Sequence, residues 1–200
     1  MWERAARWYD LLFAPLDLLL LRRWRRRAVD AVPAGTRLLE VGAGTARNAP
    51  FHPAATFGVM TDISVAMLAV AGRRTDLPRE MRRVAADVQR LPFRDRTFGV
   101  SLATLVFCEV NDPLAGLLEI QRVLAPGGSS VFLEHVRPDS RVAAVLFDLL
   151  NLVTSRFGEH VNRNTVATIT RAGYRMDRVE SGAGTVIRLI IAARRESESQ

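Results

Sequence analysis

Three short stretches of this 200-residue chain carry residues suited to chemistry. Leu38–Asn48 reads LLEVGAGTARN, an apolar run holding one acid, Glu40, and closed by the turn Gly42-Ala43-Gly44. Asp62 ends a second apolar run and Asp87 a third. A Gly-x-Gly turn after a strand lets the backbone approach a ligand closely. An acid at the end of the neighbouring strand can accept two hydrogen bonds from ribose hydroxyls, and charge-assisted bonds are the stronger class. Asp87 is placed to accept from the exocyclic amine of an adenine. Ile63 and Met67 after the first acid, and Val88 and Phe93 after the second, are apolar enough to sandwich the base. Singly, Asp62 reads as well as a helix cap and Asp87 as a turn acid. Together, at these spacings, they describe one crevice at the C-terminal ends of adjacent strands.

Other ligands fit the glycine turn less well. A dinucleotide fingerprint requires a third glycine three positions after the second, for close helix–strand packing, and Arg47 stands there. A P-loop requires Gly-Lys-Ser/Thr, which does not follow. The single cysteine, Cys108, excludes an internal disulfide and a zinc site of several cysteines. His52, His135 and His160 show no metal-ligand spacing, so no metal is expected. The formal charge is +7, yet all 28 basic residues are arginine, a bias more in keeping with GC-rich codon usage than with phosphate contacts.

Positioning these groups requires alternating strands and helices, the pattern of an α/β protein with a largely parallel sheet. Strands are expected at Arg37–Val41, Thr56–Met60, Arg83–Ala86, Gly99–Ala103 and Ser130–Glu134, with two more near Arg175–Glu180 and Val186–Ala193. Helices are expected at Ser64–Arg73 and Pro113–Leu124, the second stopped by Pro126-Gly127-Gly128. One domain is expected over residues 1–195, with amphipathic N-terminal helices over 1–31 and a disordered polar tail at 196–200. Residues 138–172 form an insertion, either a lid or substrate wall or two helices covering the sheet.

LLEVGAGT, TDISVAML, AADVQRLPFRDRTFGV and EIQRVLAPGGSSVFLEHV, in that order, resemble the class I S-adenosylmethionine-dependent methyltransferases. The resemblance implies a Rossmann-like seven-stranded, mostly parallel sheet with helices on both faces and its last strand antiparallel. It implies S-adenosylmethionine as cofactor, with Gly42, Ala43 and Gly44 against its amino-acid part, Asp62 on the ribose and Asp87 on the adenine amine. Thr104 and Leu105 would line the methionine side, and Tyr9 would close over the cofactor. Glu40 would orient the glycine loop or accept from the cofactor's ammonium. The stretches YDLLFAPLDLLLLRRWRRR, CEVNDP, LEHVRP and EHVNRNTVATITRAGY resemble a narrower branch, the bacterial phosphatidylethanolamine N-methyltransferases and related thiol methyltransferases.

The expected activity is methyl transfer to an amine, thiol or hydroxyl of a phospholipid or a small hydrophobic metabolite. The alternatives are a methyltransferase fold that binds S-adenosylmethionine or an apolar ligand without transferring a methyl group, and a soluble biosynthetic small-molecule methyltransferase with no membrane role. Catalytic residues are weakly determined; His135, Glu109 and His160 are the candidates, with Asn162 and Arg163 nearby. On a helical wheel Leu20, Leu21, Trp24 and Ala28 share one side and Arg22, Arg23, Arg25 and Arg26 the other, which suits either an anionic membrane surface or a helix packed on the sheet. Leu11–Leu21 is too short to span a bilayer, and Glu3 and Asp10 argue against a signal peptide. A cytoplasmic protein is expected, peripheral at the inner membrane surface in the membrane reading. Nucleic acid is not an expected partner, because Thr104–Glu109 (TLVFCE) lacks the Asn/Asp-Pro-Pro-aromatic motif of amino-directed DNA methyltransferases.

Overall fold

The computed structural model describes residues 21–135, 165–182 and 186–194. Seven strands form one sheet: β1 (Leu38–Val41), β2 (Phe57–Asp62), β3 (Glu80–Ala85), β4 (Phe98–Thr104), β5 (Leu124–His135), β6 (Tyr174–Gly182) and β7 (Ile187–Arg194), in the order β3-β2-β1-β4-β5-β7-β6. Strands β1 to β5 pair in parallel, and β7 runs antiparallel to both β5 and β6. This is the expected sheet.

Its centre explains the apolar runs. All four residues of β1 are buried, because parallel strands covered on both faces have no solvent side. Alternate residues feed two cores. Leu39, Val41, Phe98 and Phe132 point to one face, while Leu38, Met60, Leu102 and Leu133 point to the other. Helix α1 (Arg22–Asp30) packs on the second face, and α2 (Val65–Ala71) contributes Ala71 there. Helices α3 (Pro113–Val123) and α4 (Thr165–Arg171) cover the first. Two helix starts follow from their caps: Ser64 Oγ accepts from Met67 N and Asp112 Oδ1 from Ala115 N, with Pro113 opening α3.

Two local expectations need correction. Pro126-Gly127-Gly128 lies inside β5, whose pairing with β4 begins at Phe98–Leu124 and resumes at Val100–Ser129. The three residues form a bulge in a strand that starts directly at the end of α3. Arg25 was expected on the outward, basic side of its helix but is only 6% exposed, with Leu21, Ala28 and Val29 buried on the same side. Trp24 packs against Gly182 and under the Arg27 guanidinium, which leaves the helix no outward apolar stripe. Of the insertion at 138–172 only its end is described: α4 packs on α3 and β6. No helix among the described residues is long and apolar enough to cross a membrane.

Candidate functional site

The strand order reverses between β1 and β4, and above their C-terminal ends lies a cavity of about 340 Å³. This is the switch point at which open α/β sheets bind ligands. Its backbone is locally forced. Gly42 and Gly44 have φ of 60° and 55°, and Ala46 and Leu105 adopt the same left-handed region at 58° without being glycine. Such conformations are held by surrounding structure and collect at functional sites. The Leu105 N–H donates to Leu133 O at 2.7 Å, anchoring that turn to β5. A Cβ on Gly42 would lie 2.5 Å from the Val106 side chain, whereas the space in front of Gly44 is open.

Asp62 stands at the end of β2 and is preoriented by backbone. Oδ2 accepts from Gly44 N and Oδ1 from Ser64 N, both at 2.8 Å. Each carboxylate oxygen has two lone-pair sites, so the pair retains capacity for further donors. The acid thus joins the glycine turn to the start of α2. Asp87 lies beyond β3, and its carboxylate meets the backbone and side chain of Gln89. Ile63, Met67 and Val88 line the cavity between the two acids. Phe93 does not: its ring packs edge-on against Phe98 at 5.1 Å, as part of the core.

Below the glycine turn runs a buried polar chain. Arg25 Nη1 donates to Asn48 Oδ1 at 3.1 Å and to Thr104 Oγ1 at 3.2 Å. Asn48 Nδ2 donates to Glu40 Oε1 at 2.8 Å, and His52 Nε2 to Glu40 Oε2 at 3.0 Å. Every member is buried. The Asn48 amide therefore bridges a guanidinium and a carboxylate that sequence places on different elements. Arg25 and Thr104 reach the cavity wall, while Glu40 lies behind it and braces residues 48–52.

Leu105, Val106 and Val110 form an apolar wall beside the glycine turn, with Val106 lying against Gly42, and Glu109 belongs to the same stretch. Beneath this wall Glu134 is fully buried, its Oε1 accepting from Val106 N at 3.1 Å and Phe107 N at 3.3 Å. Burial pushes its carboxyl up to about 8, against the pull of those two amides and with a small push from Glu109. His135 next to it lies outside the cavity lining, and burial holds its imidazole below the ordinary range. The raised carboxyl has a consequence for folding. Between pH 4.5 and about 8 the folded chain keeps a proton that the unfolded chain has lost. Its contribution to stability is therefore full below that window and drains away as pH rises through it. Urea unfolding at pH 5.5 and 8.5 is expected to show wild type losing more stability, on the order of a few kcal/mol, than Glu134→Gln. Equal losses in the two proteins would contradict this assignment.

The cavity thus gathers Gly42, Ala43, Gly44, Asp62, Ile63, Met67, Asp87, Val88, Thr104, Leu105 and Glu109. Tyr9 and His160, with Asn162 and Arg163, lie outside the described residues. Sequence reasoning missed Arg25, Asn48, Gln89 and Asn111. A signal for Arg25 existed: at 100° per residue it falls between Leu21 and Val29, roughly 40° from each.

Sheet order and switch-point cavity define an open α/β domain of the kind that binds a ligand at the strands' C-terminal ends, and the likenesses sharpen that class. Residues 39–132 match the family model for a methyltransferase domain. A demethylmenaquinone methyltransferase of Mycobacterium sp. (strain KMS) is 38% identical over 150 residues, 74% of this chain and 63% of that protein. One from Streptomyces griseus is 37% identical over 142 residues, 69% of this chain and 60% of its own. The chain spans less than two thirds of the length of either relative. Among solved structures, an S-adenosylmethionine-dependent methyltransferase from Thermotoga maritima aligns with a TM-score of 0.75 at 19% identity, covering 98% of this chain and 100% of that one. The [4+2]-cyclase SpnF aligns at 0.71 and 17%, covering 86% and 80%. The fold is the Rossmann-like methyltransferase fold, and S-adenosylmethionine is the cofactor that the family match implies. The residues fit it: a glycine turn open at Gly44, a braced acid on each side of the apolar seat, and a cationic side chain at the turn's far end. These relatives bear the demethylmenaquinone name, not that of the phosphatidylethanolamine and thiol methyltransferases. Much of what pointed to that branch, YDLLFAPLDLLL and EHVNRN, lies outside the described residues.

Proposed function

We propose that this chain is an S-adenosylmethionine-dependent methyltransferase whose acceptor is a small hydrophobic metabolite. The observation that carries the reading is one cavity lined both by the polar groups of Gly42–Gly44, Asp62 and Asp87 and by the apolar side chains of Leu105, Val106 and Val110. Asp62 takes the ribose hydroxyls, Asp87 the adenine amine, and Arg25 the carboxylate of the amino-acid end. When bound, S-adenosylmethionine supplies an electrophilic methyl carbon on a sulfonium. The apolar wall holds the acceptor in line with that carbon and excludes water; alignment of this kind is worth up to about 7–11 kcal/mol. With the cofactor bound, the bond from the acceptor atom to the methyl carbon would form as the sulfur–methyl bond broke, its electron pair remaining on sulfur. Glu109, the carboxylate in the acceptor wall, receives the acceptor's proton.

The demethylmenaquinone methyltransferases support an apolar acceptor. A phospholipid at an anionic surface is the less supported reading, since only Arg22, Arg23 and Arg26 of α1 face outward and Trp24 is packed. Release of S-adenosylhomocysteine across a panel of tailed hydroquinols, hydrophobic thiols and phosphatidylethanolamine vesicles tests the proposal. Release with a metabolite acceptor is expected, with Glu109→Gln lowering turnover but not cofactor affinity. Tight cofactor binding with silence across the panel would instead favour a fold that binds without transferring.

A further inference from the structure

We infer that Gln89 is a positioning residue of the cofactor site, aiming the Asp87 carboxylate at the adenine amine and coupling it to the start of α3. The inference rests on the reading of Asp87 given above. Among the described residues, the Asp87 carboxylate takes three contacts from Gln89. Oδ1 accepts from the backbone N–H at 2.9 Å, and the carboxamide Nε2 lies 3.0 Å from Oδ1 and 2.9 Å from Oδ2. One donor between both oxygens fixes the plane of the carboxylate, which two free side-chain torsions would otherwise leave to turn. About four lone-pair sites belong to a carboxylate, so capacity for an incoming amine remains.

The other end of the same side chain reaches a different element. Gln89 Oε1 accepts from Asp112 N at 2.8 Å, and Asp112 Oδ1 caps α3 through Ala115 N at 3.1 Å. Gln89, Asp87 and Asn111 all line the cavity. A group here must donate at one end and accept at the other over the length of two methylenes. A carboxamide does both. Leucine has the volume without either function. Glutamate keeps the acceptor for Asp112 but sets a second negative charge against Asp87, where like charges repel. A residue that served packing alone would need neither half.

The test compares dissociation constants for S-adenosylhomocysteine and its inosyl analogue, in which a carbonyl replaces the exocyclic amine. Wild type is expected to prefer the adenosyl form. Gln89→Leu is expected to weaken the adenosyl form about fivefold and the inosyl form by less than about twofold, so the preference collapses. Gln89→Glu, which keeps the bond to Asp112, should weaken adenosyl binding at neutral pH at least as much. In an Asp87→Ala background Gln89→Leu should leave the ratio unchanged, because the pair acts as one unit. A preference that survives both Gln89 variants, or equal losses for both ligands, overturns the role of Gln89. A wild-type chain that binds both forms equally overturns the reading of Asp87, and this inference with it.

Discussion

Asp62→Ala is expected to weaken binding of S-adenosylhomocysteine on the order of a hundredfold with little change in fold. Two charge-assisted bonds to ribose hydroxyls at about 1.5 kcal/mol each amount to about 3 kcal/mol, and each 1.4 kcal/mol is a factor of about ten. The same carboxylate braces Gly44 N and Ser64 N, so its loss also frees the glycine turn that must lie against the ligand. Both effects act in one direction. The acid is part-buried at the end of β2, so thermal unfolding should shift little. Asp62→Asn sharpens the result. If the amide NH₂ takes the Oδ2 position it faces Gly44 N donor to donor, and in the other orientation it faces Ser64 N. Either way one brace is broken, and asparagine should rescue less than its shape suggests. Titration calorimetry on the three proteins measures this. Undiminished affinity in Asp62→Ala would remove the ribose contact and the site reading built on it.

How far the sequence discloses such a site depends on whether a residue's role is set by its own element or by a neighbour's. The strands were legible because β1, β4 and β5 are covered on both faces and read as apolar runs. Asp62 was legible because it follows the buried run of β2 at the sheet's ligand-binding edge. Asp87 follows β3, a largely exposed edge strand, and was legible from its spacing after residues 84–86. The bulge at Pro126–Gly128 was not, since Pro-Gly-Gly marks a break in chain direction without saying whether pairing resumes beyond it. Glu40 shows the same limit: its place at the strand's end was plain, but its partners Asn48 and His52 come from the following turn and turned it away from the cavity. Arg25 was hardest. In RRWRRR nearly every position is basic, so hydropathy cannot mark the inward side. Only the stripe Leu21, Arg25, Ala28, Val29, at spacings of four, three and one, does so.

Arg25→Ala is expected to weaken S-adenosylhomocysteine about ten- to a hundredfold, while leaving methylthioadenosine, which lacks the amino-acid end, within about twofold of wild type. The guanidinium lines the cavity at the glycine turn, where only the carboxylate of the amino-acid end calls for a cation. Losing it also removes the donors to Asn48 Oδ1 and Thr104 Oγ1, so Glu40 keeps its bonds to Asn48 and His52 without the guanidinium beyond them. Leaving buried polar groups short of partners costs about 1–3 kcal/mol, and a lower melting temperature should accompany the affinity loss. Methylthioadenosine separates the two consequences. General collapse of the site weakens both ligands, as Asp62→Ala should, whereas loss of a charge contact weakens only the carboxylate-bearing one. Arg25→Lys should recover part of the affinity, because one ammonium supplies the charge without the planar fork that spans Asn48 and Thr104. Replacing Arg22, Arg23 and Arg26 together by glutamine is the matched control. These side chains carry the same charge on the same helix but face outward, so both ligands should bind as before. Equal losses from the triple variant and from Arg25→Ala would mean that the helix acts through its net charge, and that the inward arginine holds no special place.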